Sequence, residues 1–250
     1  MRILLTNDDG INAPGLVSLE RIARTRSDDV WIVAPETDQS GTSHSLTTRR
    51  PLRIRQVDER RYAIDGTPTD CVLLALQVVL KGARVDLVLS GVNRGFNIGE
   101  DVHYSGTVSA AMEATIFNLP AVAFSQACRQ GVPVNWATAE RFGPEVLSRL
   151  LTTGWPEDTF VNVNFPDRPV DDVRGIQVAA LGKRKVGDEI VERVDPRGEP
   201  YVWIGGLTTK EINKQGTDIA AIHQGYITVT PVTMDMTHRA SLASLRRAFE

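Results

Sequence analysis

The 250-residue sequence has only two cysteines, Cys71 and Cys128, far apart and set in the apolar contexts DCVLLALQ and SQACRQ. So sparse a usage excludes a disulfide framework and predicts two buried, reduced thiols, as in a reducing cytosol. No stretch approaches the ~18 consecutive apolar residues of a membrane span. The apolar start RILLTN is short and runs directly into acids, unlike a secretory leader. The expectation is a cytoplasmic protein with no membrane partner. The formal net charge of −3 lacks the basic excess of a dedicated nucleic-acid binder, so no nucleic acid duplex is expected as a partner. Neither GxxxxGK[ST] nor GxGxxG occurs, which disfavours a P-loop and the usual dinucleotide fingerprint. His44, His103, His223 and His238 show no ligand spacing with one another, so a histidine-based zinc centre is not expected. Internal repeats and low-complexity segments are absent too.

What the chain does contain is an ordinary globular composition, 42% hydrophobic and 24% charged. A chain of this length buries roughly 70–75% of its unfolded surface, so it needs no covalent or metal staple. Short apolar runs without alternation predict buried strands at 2–7, 29–35, 85–90, 121–125 and 160–165. Between them, helical spacing predicts helices at 14–26, 68–81, 107–117 and 136–152, while the alternating stretch 51–65 predicts a small hairpin. Unalternating strands separated by helices mean an α/β fold with a mostly parallel sheet covered on both faces. Residues 1–181 are assigned to this core. Residues 182–250 are read as a C-terminal extension of protruding hairpin, strand and terminal helix (239–249), packing on the core or on a partner subunit.

Polar residues stand where several predicted strands end: Asn7-Asp8-Asp9-Gly10, Gln39-Ser40-Gly41, Ser90-Gly91-Val92-Asn93 and Ser125. In an open parallel sheet the carboxyl ends share one edge, and ligands bind there. Two carboxylates, a hydroxyl and a carboxamide are all oxygen donors, a set that suits Mg²⁺ or Mn²⁺. A divalent cation would also relieve the repulsion between Asp8 and Asp9. Alone, DDG would be an ordinary turn; at the end of a buried first strand the ion-binding reading is preferred. Further on, Ser105-Gly106-Thr107 opens a helix rich in small residues. Free N–H groups and a hydroxyl at a helix start make an anion site that phosphate fits, although an ordinary Ser/Thr cap has the same pattern. A cation site beside an anion site points to phosphate-ester chemistry.

The segments NDDGINAPG, QSG…HSLT, IDGTPTDCV, SGVNRGFNIGEDVHYSGTVSAAMEA and GTDIAAIHQGYITVTP together resemble the SurE (survival protein E) family. The resemblance implies a Rossmann-like three-layer core whose C-terminal extension is exchanged between subunits of a homodimer or homotetramer. It implies a 5′-nucleotidase, a metal-dependent phosphomonoesterase acting on nucleoside 5′-monophosphates and also 3′-monophosphates, with some activity on short polyphosphate. By motif, one divalent cation (Mg²⁺ or Mn²⁺) per subunit would be held by Asp8, Asp9, Ser40 and Asn93. Asp8, Asp9 and Asn93 would act in catalysis, and Asn97, Ser105, Gly106 and Thr107 would face the phosphate. Ile219 stands where the family commonly has an aromatic residue. His103 is weighed as a general acid against a structural loop histidine. Three rivals are considered: a receiver-like module, a haloacid-dehalogenase-type phosphatase and a non-catalytic Mg²⁺-dependent nucleotide- or phosphate-binding module. The first lacks a phosphoacceptor Asp after a later strand, and the second lacks DxDx[TV].

Overall fold

The computed structural model describes residues 1–129, 131–183, 185–209 and 214–250; Arg184 and 210–213, part of the expected extension, lie outside the described residues, as does Gln130. Six strands run parallel: β1 (Ile3–Thr6), β2 (Val30–Pro35), β4 (Arg61–Ile64), β5 (Leu87–Arg94), β6 (Ala121–Gln126) and β7 (Thr159–Phe165). With β3 (Ile54–Asp58), β8 (Ile176–Val178) and β11 (Ile227–Thr233) they form a nine-stranded sheet in the order β3-β4-β2-β1-β5-β6-β7-β11-β8. β3 is antiparallel to β4 and β11 is antiparallel to β7, so the sheet is mixed only at its flanks.

The helices are α1 (Pro14–Arg24), α2 (Pro68–Leu74), α3 (Gly106–Ile116), α4 (Ala137–Thr153), α5 (Asp218–His223) and α6 (Arg239–Phe249). Strand parity decides which layer each residue joins. Ile3 and Leu5 pack with Leu16, Leu19 and Ile22 of α1 and with Val146 and Leu147 of α4. Leu4, one residue out of phase, packs with Val72 of α2 and Val108 and Ala111 of α3. This is the three-layer arrangement expected of near-continuous apolar strands. α1 begins at Pro14, whose fixed φ suits a first helical position. α2 begins with a reciprocal capping box between Thr67 and Asp70, worth about 1 kcal/mol.

Four local differences from the sequence-based expectation have physical reasons. β5 continues to Arg94 instead of ending at 90, because an extra residue bulges between Ser90 and Asn93 opposite β6. The helix expected over 68–81 gives way after Leu74 to a π-helical turn over Ala75–Val79. β8 has only three residues and no buried side chain, too little apolar pattern to be visible in sequence. Cys71 is fully buried as expected, whereas Cys128 is half-buried; both are free thiols.

The segment 182–250 divides. β11 lies within the main sheet between β7 and β8, and α5 packs beside it, so this stretch shares one sheet with the core strands. β9 (Lys185–Val194) and β10 (Pro200–Thr209) form a separate two-stranded hairpin, and α6 buries no residue. Among the described residues no helix is long and apolar enough to cross a membrane.

Candidate active site

From β1 the chain proceeds through α1 to β2 on one side, whereas β5 pairs on the other side of β1. The order therefore reverses between β1 and β5, and the carboxyl ends of these two strands flank the crevice where α/β sheets bind ligands. Asp8 and Asp9 follow β1, and Asn93 lies near the end of β5. The bulge delivers Asn93 there. Gly91 has φ +125° and packs so closely that a Cβ would stand 2.2 Å from Phe124 O, so only glycine fits. Asn93 donates its Nδ2 to Gly95 O at 3.0 Å, a bond that does not use its side-chain oxygen.

Ser40 arrives from the loop after β2. Gln39 N–H donates to Asp8 O at 2.8 Å, and Ser40 N–H donates to Asp38 Oδ1 at 2.8 Å. Ser43 fastens the same loop to the far side of the site, its hydroxyl donating to His103 O at 2.7 Å. His44 Nε2 meets Glu113 Oε2 of α3 at 2.8 Å.

A cavity of about 550 Å³ gathers Asp8, Ser40, Asn93, Asn97 and Ser105, five of the residues named from the sequence, together with Arg94 and Tyr104. Asp9 lines an adjoining cavity of about 360 Å³ with Asp38 and Trp136. Arg94 borders both, and its main-chain N–H donates to Asp9 Oδ2 at 3.2 Å.

The start of α3 is used differently from the expectation. Ser105 is the N-cap, its Oγ accepting Val108 N–H at 3.1 Å, and it lines the cavity. Thr107 is fully buried and its hydroxyl donates to Asp8 Oδ1, so its side chain stands behind the carboxylate rather than on the cavity wall. Gly106 makes room for this: a Cβ there would lie 2.8 Å from Asp8 Cβ and 3.1 Å from Asp8 Oδ2. The helix N-terminus thus receives a carboxylate of the protein itself, with the sign its dipole favours.

That help is incomplete. Burial pushes the Asp8 carboxyl up to about 6; Thr107 pulls it down, and neighbouring Asp9 pushes it up again. Burial likewise raises Asp9, opposed by the Arg94 N–H. Two desolvated carboxylates side by side are costly unless a cation joins them. Among the described residues no group of three or more His, Cys, Asp or Glu could hold a metal. A hard cation can draw here on two carboxylates, the Ser40 hydroxyl and the Asn93 carbonyl. By donor chemistry, the residues present fit Mg²⁺ or Mn²⁺.

His103, expected as either a general acid or a structural loop histidine, is exposed at the end of a 3-10 turn, and its main-chain carbonyl accepts the Ser43 hydroxyl. Ile219 is fully buried against Ile98 and Ile222, so it has no face to offer a ligand. Arg94 and Asp38 were not singled out from the sequence. The signal was Arg94's position beside Asn93 in the glycine-rich loop, and Asp38's two residues before Ser40.

Comparison with known proteins places these features in company. The family described as Survival protein SurE matches residues 3–188. The chain is 59% identical over its full length to the 5′-nucleotidase SurE of Paramagnetospirillum magneticum, covering 96% of that protein. It is 51% identical to the 5′-nucleotidase SurE of Rhodospirillum rubrum, over 99% of this chain and 96% of the relative. The crystal structure of the SurE protein from Aquifex aeolicus superposes with a TM-score of 0.86 at 37% identity, covering 100% of both chains.

Proposed function

The chain belongs to the SurE family and is a 5′-nucleotidase, and from that premise we propose that the β1–β5 crevice is where it hydrolyses nucleoside monophosphates with a divalent cation. One observation carries the reading: Asp8, Ser40, Asn93, Asn97 and Ser105 come from four separate chain segments and line one cavity at the switch point. Asp8, Asp9, Ser40 and Asn93 would hold Mg²⁺ or Mn²⁺, one ion per subunit, which when bound supplies charge neutralisation for the phosphate oxygens.

The chain's own groups do the rest. The Ser105 hydroxyl accepts the Val108 N–H and keeps its proton for a phosphate oxygen. Asn97, held by its own hydrogen bonds, and Arg94, which lines the same cavity, are assigned further oxygens. Gly106 and Thr107 act by fixing Asp8. Asp9 is less buried than Asp8 and lacks the Thr107 bond, so it is assigned the proton of the attacking water. The water attacks phosphorus in line with the leaving ribose oxygen. As the new P–O bond forms the bond to the ribose oxygen breaks, that oxygen takes a proton from solvent, and Asp9 returns its proton to solvent. Nucleoside 3′-monophosphates and short polyphosphate present the same terminal phosphate and belong to the proposed range.

The hairpin and α6 support a homodimer or homotetramer. Trp203 and Ile204 on β10 and Phe249 on α6 are 64%, 76% and 87% exposed, an apolar surface of the kind that associates.

The test is phosphate release from AMP, 3′-AMP and short polyphosphate with Mg²⁺, with Mn²⁺ and with EDTA. Release with either cation and none in EDTA is expected. Activity that survives EDTA would overturn the metal assignment, and AMP binding without turnover would favour a non-catalytic module.

A further inference from the structure

β7 is flanked on both sides within the sheet, and its sequence FVNVNF puts two asparagines where a parallel strand ordinarily carries Val or Ile. Asn162 and Asn164 are both fully buried, on the face that packs with α3. A buried amide is costly unless hydrogen-bonded, so sheet packing alone gives no reason for two. Their partners do. Asn164 Oδ1 accepts the main-chain N–H of Asn97 at 2.7 Å. Asn164 Nδ2 and Asn162 Nδ2 both donate to the main-chain oxygen of Asn97, at 3.0 and 2.7 Å. The Asn97 side chain is fixed by the neighbouring strand β6, donating to Ser125 Oγ at 2.9 Å, and Ser125 sits in register with Asn164. Asn97 is in no helix or strand, yet its N–H, its C=O and its Nδ2 are all held. Asn162 Oδ1 has no partner among the described residues, a cost retained alongside the bond its Nδ2 makes.

We infer that Asn162 and Asn164 are positioning residues for hydrolysis: they hold the Asn97 main chain so that its side chain keeps its place on the wall of the substrate cavity. They touch no substrate themselves. The inference rests on the reading that Asn97 faces the substrate phosphate. Periodicity places both amides on one face at the carboxyl end of a strand, three strands from β1, where ligand contacts are otherwise delivered by loops.

The experiment is a double-mutant cycle on the full-length protein with AMP and Mg²⁺ or Mn²⁺, using Asn164→Leu and Asn97→Ala alone and together, with Tm measured on each. Asn164→Leu is expected to lower kcat/KM about 10- to 100-fold, the usual cost of losing an orienting partner. In the Asn97→Ala background the same change should cost less than about threefold, because the group it positions is already gone. An equal loss in both backgrounds would mark a structural role alone and overturn the inference. So would unchanged kcat/KM in Asn164→Leu when Asn97→Ala is impaired. Unchanged kcat/KM in Asn97→Ala would instead remove the phosphate reading of Asn97 beneath it. Should Asn164→Leu fail to fold, Asn164→Asp carries the same cycle, since it keeps the acceptor for the Asn97 N–H and loses the donor to its carbonyl.

Discussion

The carboxyl edge of the sheet and the β9–β10 hairpin depart from the ordinary folding rule in opposite directions. At the edge, Asp8, Asn97, Thr107, Asn162 and Asn164 are polar and buried; on the hairpin, Tyr201, Val202, Trp203 and Ile204 are apolar and exposed. Either departure costs free energy in the isolated chain. At the edge the cost is offset by hydrogen bonds, such as those to Thr107 and Asn97, and by the cation proposed there. On the hairpin the single chain offsets little of it: Tyr201 and Trp203 meet edge to face, with ring centroids 6.5 Å apart. The difference separates buried polar groups that the chain satisfies with its own bonds from an exposed apolar surface of the kind another molecule covers, and the two regions meet where Ile204 and Gly205 line the site cavity.

The sharpest way to break the first half of the comparison is Asp8→Asn. It keeps an oxygen for the Thr107 hydroxyl but removes the charge, and phosphate release from AMP should fall by about 10²–10³-fold or more. Stability should move the other way. Burial raises the Asp8 carboxyl from 3.8 to about 6, so between these values the folded protein binds more protons than the unfolded chain. With EDTA present, stability conferred by the protonated form is complete below about 4 and lost as pH rises through about 6. At 1.36 kcal/mol per pH unit the difference is about 3 kcal/mol. Asp8→Asn should flatten this slope and raise Tm at neutral pH in EDTA. A metal-free wild type that is no more stable at pH 5 than at pH 7.5 would show that Asp8 is not strained by its burial.

Gly106→Ala comes next. The added methyl would meet the Asp8 side chain at 2.8 Å, so helix start and carboxylate must separate. A drop in activity of about 100-fold is expected from roughly an ångström of misplacement, with about 1–3 kcal/mol of lost stability from overpacking. An alanine variant with wild-type kinetics would mean that contact between α3 and Asp8 is not needed. On the hairpin, Trp203→Glu should shift the protein to smaller species in sedimentation, while the stability of the core changes by no more than about 0.5 kcal/mol, as for a surface site. Unchanged association would take the hairpin out of the interface.

How much of this was legible in the sequence follows the strength of local patterns. The core strands of the sheet announced themselves as apolar runs, and NDDG and SGT marked both flanks of the crevice. The π-helical turn over Ala75–Val79 lies in LLALQVVL, whose apolar residues suit either helix, so spacing alone could not end α2 at Leu74. That Asp8 occupies the start of α3 was not legible, because it depends on a close approach between segments 98 residues apart. Asn162 and Asn164 were visible as letters, but only the fold shows that the loop they hold belongs to the site.

The smallest effect expected is on α6. None of its residues is buried, and Leu245 is 54% exposed, so Leu245→Ser removes little that the single chain packs against. At concentrations where the protein is monomeric, Tm should stay within the change produced by about 0.5 kcal/mol. If a second copy covers the helix, stability is linked to association, and the variant should lose Tm only as protein concentration rises into the range where the wild type assembles. A concentration-independent loss would mean that α6 is held by its own chain, which would move it from the exposed apolar half of the comparison into the core.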